Sequence, residues 1–251
     1  MDYTVGGYFV ISIADPEHAC AEDLGSRIRS TAANGDRFFL ALSGGSSPRR
    51  LYSLLAEEDI PWASVFILQV DERIVPPGHD DHNMSMIRST LIDRVPIPED
   101  QVIAVDTEGR PDSYGSTVDR LLSMYRKEGL DAAVLGLGED GHTASVFPEE
   151  EAPFSHTETA YLSSSPRHPH ERLTLSLPFL ARSGMLFLLV KGRKKRAALS
   201  RLLGRTRSGK NPFRHEGGGR IQTFPAANLP KNALIIYTDL ESSDFLGENG
   251  S

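Results

Sequence analysis

Cysteine is almost missing from this chain: Cys20 is the only one in 251 residues. That excludes an intramolecular disulfide and a cysteine-based zinc site. Long apolar runs are missing too. Stretches such as MLFLLV, residues 185–190, fall far short of the roughly 20 residues that cross a bilayer as a helix. The opening MDYTVGGYFVISIADPEH lacks a basic segment before an apolar one, so no signal peptide is expected. Positive charge is in deficit, with 27 Lys and Arg against 34 Asp and Glu and a net charge of −7. Zinc-finger spacing, a helix-turn-helix pattern and an aromatic-interleaved RNA motif are all lacking. The expectation is a soluble, cytoplasmic protein, monomeric rather than oligomeric, that meets neither membrane nor nucleic acid.

The charge is unevenly spread. Between residues 181 and 220, twelve Lys and Arg residues face a single acid, Glu216. Much of this stretch reads as a solvated helix face. Residues 205–222, rich in Gly and Arg without apolar periodicity, read as a mobile loop. Residues 241–251 read as a disordered tail.

Elsewhere, strand and helix patterns alternate. Strand-like runs lie at 8–13, 37–42, 65–70, 101–105, 131–137, 172–177, 185–190 and 233–238. The unbroken apolar character of 185–190 suits a central strand covered on both faces, and 233–238 is expected to close the sheet. Between the strands, Ala21, Leu24 and Ile28, then Leu51, Leu54 and Leu55, then Val118, Leu121, Leu122 and Tyr125 recur at helical spacing. A helix from about Asn83, with Asn83 as its N-cap, carries Met84, Ile87 and Leu91 inward. Such alternation specifies a single α/β domain of Rossmann-like type, a mostly parallel sheet with helices on both faces.

Polar motifs gather where strands end, which is where ligands bind in parallel sheets. ALSGGSSP offers Gly44 and Gly45, whose backbone N–H groups can approach an anion, together with Ser43 and Ser46 as donors. It is neither a Walker loop nor GxGxxG, which disfavours a dinucleotide. QVDERIVP supplies Asp71, Glu72 and Arg73, and an arginine can grip phosphate through two parallel hydrogen bonds. HDDHNMS, with His79, Asp80, Asp81, His82 and Asn83, invites a metal reading, but such close spacing on a flexible stretch is weak ground for one. Lys191 lies just past the strand 185–190, where an ammonium could face a ligand. VLGLGEDGHTASVFP places His142 on a glycine-rich turn beside Glu139 and Asp140, and histidine is the side chain best suited to move protons near neutral pH.

Together, LSGGSSPRRLY, VDERIVP, GLGEDGHTASVFP, RLTLSLPFL and LLVKGRKK resemble the 6-phosphogluconolactonases in order and spacing, across about residues 37–203, with a weaker echo in FPAANL. The resemblance implies hydrolysis of a sugar-phosphate lactone, 6-phosphoglucono-δ-lactone, without metal or organic cofactor. The related glucosamine-6-phosphate deaminases carry a Glu where this chain has Phe147, and a Tyr where it has Arg73. One position departs from the lactonase pattern, which reads Ser-Asn where this chain has His82-Asn83. A non-catalytic sugar-phosphate sensor is the other reading, but it would be expected to carry a DNA-binding extension and would not need His142.

On the lactonase reading His142 acts as base and then acid. A carboxylate, Asp140 or Glu139, holds its tautomer. Backbone N–H groups at Gly44 and Gly45 meet the oxyanion. Arg73 and Lys191 hold the phosphate, and Ser43, Ser46, Asp71 and Asn83 complete the substrate contacts. No G-x-S-x-G elbow supplies a nucleophilic serine.

Overall fold

The computed structural model describes residues 1–149, 156–204 and 224–246. In chain order the strands and helices are β1 (Asp2–Val5), β2 (Tyr8–Ser12), α1 (Pro16–Ala33), β3 (Phe38–Leu42), α2 (Arg49–Leu55), β4 (Val65–Gln69), β5 (Asp71–Arg73), α3 (Asn83–Thr90), β6 (Val102–Ile103), α4 (Ser113–Met124), β7 (Ala132–Gly136), β8 (Ala160–Ser165), β9 (His168–Leu175), α5 (Leu177–Leu180), β10 (Met185–Val190), α6 (Arg196–Leu202), β11 (Leu234–Thr238) and α7 (Ser242–Leu246).

Local chemistry sets the ends of several elements. Asp15 accepts the His18 N–H at 3.2 Å and Pro16 opens the first turn of α1, a cap followed by a residue that has no N–H to lose. Ser176 caps α5 in the same way through the Phe179 N–H. In α3 the cap is His82, whose Nδ1 accepts from Ser85 N, so Asn83 is the first helical residue and not the cap expected from sequence.

The main sheet runs β1-β2-β11-β10-β7-β3-β4-β6, parallel throughout except for the β1–β2 hairpin. Strand β3 is wholly buried and β10 nearly so, because helices cover both faces. Alternate strand residues feed two cores. Leu40, Leu42, Ile67 and Phe187 pack with α1, α2 and α3. Phe39, Ala41, Leu68 and Leu188 pack on the other side with α4, α5 and α6.

Three expectations need correction. The run at 172–177 does not join the main sheet: β9 sits in a second, antiparallel sheet, β5-β9-β8. Strand β11 is interior, because the unforeseen β1–β2 hairpin takes the edge. The supposed tail begins with helix α7, anchored by buried Phe245, whose ring meets Tyr3 edge-on at 6.2 Å. The loop expected at 205–222 and residues 247–251 lie outside the described residues.

The order of connections places a crevice. From β3 the chain builds outward through β4 to β6; it then returns to β7 on the other side of β3 and builds away through β10. Neighbouring strands β3 and β7 therefore send their following loops in opposite directions, which opens a cleft at their carboxyl ends.

Candidate active site

That cleft, about 230 Å³, is lined by the loop after β3 (Ser43 to Pro48), by Asp71 and Arg73 of β5, by Asn83 of α3 and by the turn holding His142. It also admits three residues that the sequence did not single out: His168 and Arg172 from β9, and Lys195 from the turn before α6.

The turn after β7 explains why a histidine stands there. His142 Nδ1 and Asp140 Oδ1 are 2.7 Å apart, and the same oxygen accepts the His142 N–H at 3.1 Å. Asp140 is thus the carboxylate that orients the ring; Glu139 is exposed. Burial pushes the Asp140 carboxyl up, but the bonds and charge of His142 outweigh it and hold the group well below the usual carboxylate range. With Nδ1 engaged, Nε2 is the ring nitrogen left for the cleft. Gly138 is required behind the pair: a Cβ there would lie 2.1 Å from His142 Nδ1 and 2.5 Å from Asp140 Oδ1. Ala144, two residues on, holds a left-handed φ of 53°, a strained conformation at the cleft wall.

On the opposite wall Glu72 is fully buried and acts as a bracket. One oxygen accepts from Arg73 N and Asn83 N, each at 2.7 Å; the other accepts from Met84 N at 2.8 Å and Gln69 Nε2 at 2.6 Å. Burial raises its carboxyl despite these bonds. The bracket fixes β5 against the first turn of α3 and so sets where Arg73 and Asn83 stand. Asn83 Nδ2 donates to the Asp71 carbonyl at 2.9 Å, and its Oδ1 fills the space where a Gly44 Cβ would lie. The Asp71 carboxylate accepts from Ser145 Oγ at 2.6 Å.

Several buried polar atoms on this wall have no hydrogen-bond partner among the described residues, including Ser43 Oγ, Asn83 Oδ1 and Arg172 Nε. Arg172 is 6% exposed, has no ion-pair partner among the described residues, and lies over the Phe147 ring at 5.2 Å. Burial and nearby Arg73 lower its pKa. A buried guanidinium that feels only the more distant charges of Asp71 and Asp81 is costly unless something anionic joins it.

Lys191 is not part of this cleft. Its ammonium bonds Glu17 of α1, a carboxylate that is 2% exposed overall, and the chain then turns at Gly192 with φ of 84°. Four residues later, Lys195 reaches the cleft instead, with no acidic partner among the described residues.

Two groups of side chains have metal-ligand chemistry, each with donor atoms within 4.8 Å of one another: Asp140, His142 and His168 in the cleft, and His79, Asp81 and His170 at its rim. His82 belongs to neither; it is buried under α3 as the cap. In both groups donors are already paired with each other, Asp140 with His142 and Asp81 with His170 Nε2 at 3.0 Å. The Asp81 carbonyl also takes Arg73 Nη1 at 2.6 Å, which brings a cation against the rim group.

Comparison with known proteins places this geometry. The profile of the family described as glucosamine-6-phosphate isomerases/6-phosphogluconolactonase matches residues 13–221. A 6-phosphogluconolactonase of Neisseria meningitidis is 37% identical over 172 residues, covering 63% of this chain and 71% of the relative. One from Synechocystis is 32% identical over 229 residues, covering 88% and 90%. Among solved structures, a 6-phosphogluconolactonase of Thermotoga maritima superposes with a TM-score of 0.75 over 91% of this chain and 96% of that one, at 24% identity, a likeness of fold. The chain belongs to the glucosamine-6-phosphate isomerase/6-phosphogluconolactonase family.

Proposed function

We propose that this protein hydrolyses 6-phospho-D-glucono-1,5-lactone to 6-phosphogluconate, the lactone-opening step of the oxidative pentose phosphate pathway. The observation that carries the reading is one cleft lined both by an imidazole oriented on a carboxylate and by three cations without a carboxylate partner among the described residues, Arg73, Arg172 and Lys195. A phosphorylated lactone is an anion that also carries an electrophilic carbonyl, and a cleft with both kinds of group suits it.

His142 Nε2 removes a proton from water as the oxygen attacks C1. Asp140 holds the Nδ1 proton and steadies the imidazolium that forms. The oxyanion at C1 meets backbone N–H groups of Gly44 and Gly45. Collapse breaks the bond from C1 to the ring oxygen, which takes its proton from the imidazolium; the carboxylic acid formed at C1 then loses its proton to solvent. Arg73 and Arg172 hold the phosphate with Lys195 beside them. Ser43 and Asn83 meet sugar hydroxyls, with Ser46 at the cleft edge. Asp71, tied to Ser145, keeps that wall in shape.

Phe147, its ring centroid 5.4 Å from His142, occupies the position where the deaminase pattern has a carboxylate; this supports ester hydrolysis over amine release. No helix among the described residues is long and apolar enough to cross a membrane, and the reading carries a cytoplasmic location. The test is lactone hydrolysis by purified protein in EDTA, corrected for spontaneous opening. A rate no greater than the uncatalysed one removes the proposal.

A further inference from the structure

Strand β9 opens with His168, Pro169 and His170, and its alternation turns His168, His170 and Arg172 to the inner side while Pro169 and Glu171 stay exposed. Each of the three inner side chains meets a different part of the site. Arg172 faces the cleft and Phe147; His170 pairs with Asp81 at the rim; His168 stands beside the catalytic pair. The His168 ring stacks on Phe147 at 5.0 Å and meets the His142 ring edge-to-face at 5.4 Å. Among the described residues neither of its nitrogens makes a hydrogen bond. One of them lies within 4.8 Å of donor atoms of both His142 and Asp140.

We infer that His168 is a positioning residue that accepts a hydrogen bond from the hydrolytic water while His142 takes that water's other proton. The inference rests on the lactonase reading. A single water with hydrogen bonds of about 2.8 Å spans two acceptors up to about 5.6 Å apart, so two rings whose centroids are 5.4 Å apart are close enough to share one. With both protons held, the water's lone pair is left free for C1. His142 alone fixes only one O–H and leaves the molecule free to rotate about it. Orientation of that kind is worth a large rate factor, because a small misplacement of the attacking atom is costly.

The role needs a neutral imidazole, since a protonated ring has no lone pair to offer. The charged and titratable groups around the ring are Arg172, His142, Asp140 and Glu149, with Arg167 and Lys195 lining the same recess. Burial, then the charges of Arg172 and His142, lower the His168 pKa against the opposing carboxylates. The ring is therefore biased toward the neutral form at the pH where the enzyme works.

The variants His168→Phe and His168→Gln separate packing from hydrogen bonding. Phenylalanine keeps a ring on Phe147 and offers no acceptor; the glutamine carbonyl restores one. Wild type, both variants and His142→Ala are assayed in EDTA from pH 5 to 8, with 6-phosphogluconate binding measured in parallel. His168→Phe is expected to lose about tenfold or more in kcat, with KM and product affinity close to wild type. His168→Gln is expected to recover most of the loss. The acid limb of the wild-type profile should require loss of about two protons, and that of His168→Gln about one. Wild-type kcat in His168→Phe, or equal losses in both variants, overturns the role. If wild type opens no lactone, the functional reading fails and this inference falls with it. If wild type is active and His142→Ala is not, while His168→Phe is unaffected, only this inference falls.

Discussion

At the scale of single residues, the proposed mechanism depends on one imidazole held by one carboxylate. The 2.7 Å contact between His142 and Asp140 fixes the proton on Nδ1 and leaves Nε2 as a base. Replacing His142 with Ala is expected to lower kcat by at least about 10²-fold, the lower end of what general acid–base catalysis supplies. Affinity for 6-phosphogluconate should hardly change, because the proposal assigns its phosphate to Arg73, Arg172 and Lys195 and not to His142. Steady-state kinetics with isothermal titration of the product checks both halves; a mutant within a few-fold of wild type moves the proton transfer to another group. His142 was legible in the sequence because a glycine-rich turn after a buried strand has few structural uses for a histidine. The carboxylate that orients it was narrowed to two adjacent residues, and only the fold of the turn separates half-buried Asp140 from exposed Glu139.

At the scale of elements, the working parts are brackets that join one strand end to the next helix. Glu72 is the clearest: each oxygen takes two N–H donors, so neither has room for an amide NH₂. In Glu72→Gln, either orientation of the amide sets a donor against two donors, at a cost of about 1–3 kcal/mol for each buried group left unpaired. Chemical denaturation should show that loss, and KM should rise as Arg73 and Asn83 shift; unchanged stability would mean that the bracket is not needed. The turn after β10 gives a second case. Lys191 follows the strand directly and sequence placed it on the ligand, yet its partner is buried Glu17. Lys191→Met should therefore lower stability and leave KM near wild type, whereas Lys195→Met should raise KM and leave stability unchanged. The opposite pattern returns the phosphate role to Lys191. Which lysine reaches the cleft depends on the turn at Gly192, and sequence spacing carries no record of that angle. Arg172 and His168 were hidden for a related reason. They belong to a strand whose partner, β5, is only three residues long, too short to read as a strand from its own pattern.

At the scale of the whole molecule, the parallel sheet and its two helical layers were legible because β3, β4, β7 and β10 are apolar runs with amphipathic helices between several of them. The second sheet was not legible, since β8 and β9 are mostly polar where they meet in a hairpin, and β5 pairs with β9 across a long stretch of chain. The chain as a whole carries −7, yet its proposed substrate is an anion. Arg73, Arg172 and Lys195 resolve this conflict by concentrating positive charge inside a cleft, where low-dielectric walls strengthen its field. Added salt screens charges over about 10 Å at 0.1 M and about 3 Å at 1 M. Raising NaCl across that range should therefore raise KM for the phosphorylated lactone several-fold, while kcat stays nearly constant because proton transfer at His142 involves no long-range charge. Unphosphorylated glucono-δ-lactone, which lacks the anion, should show a weak KM and little dependence on salt. Parallel kinetics on the two lactones distinguishes the cases. Equal salt dependence for both would mean that salt acts on the protein at large, and that the three cations do not recognise the phosphate.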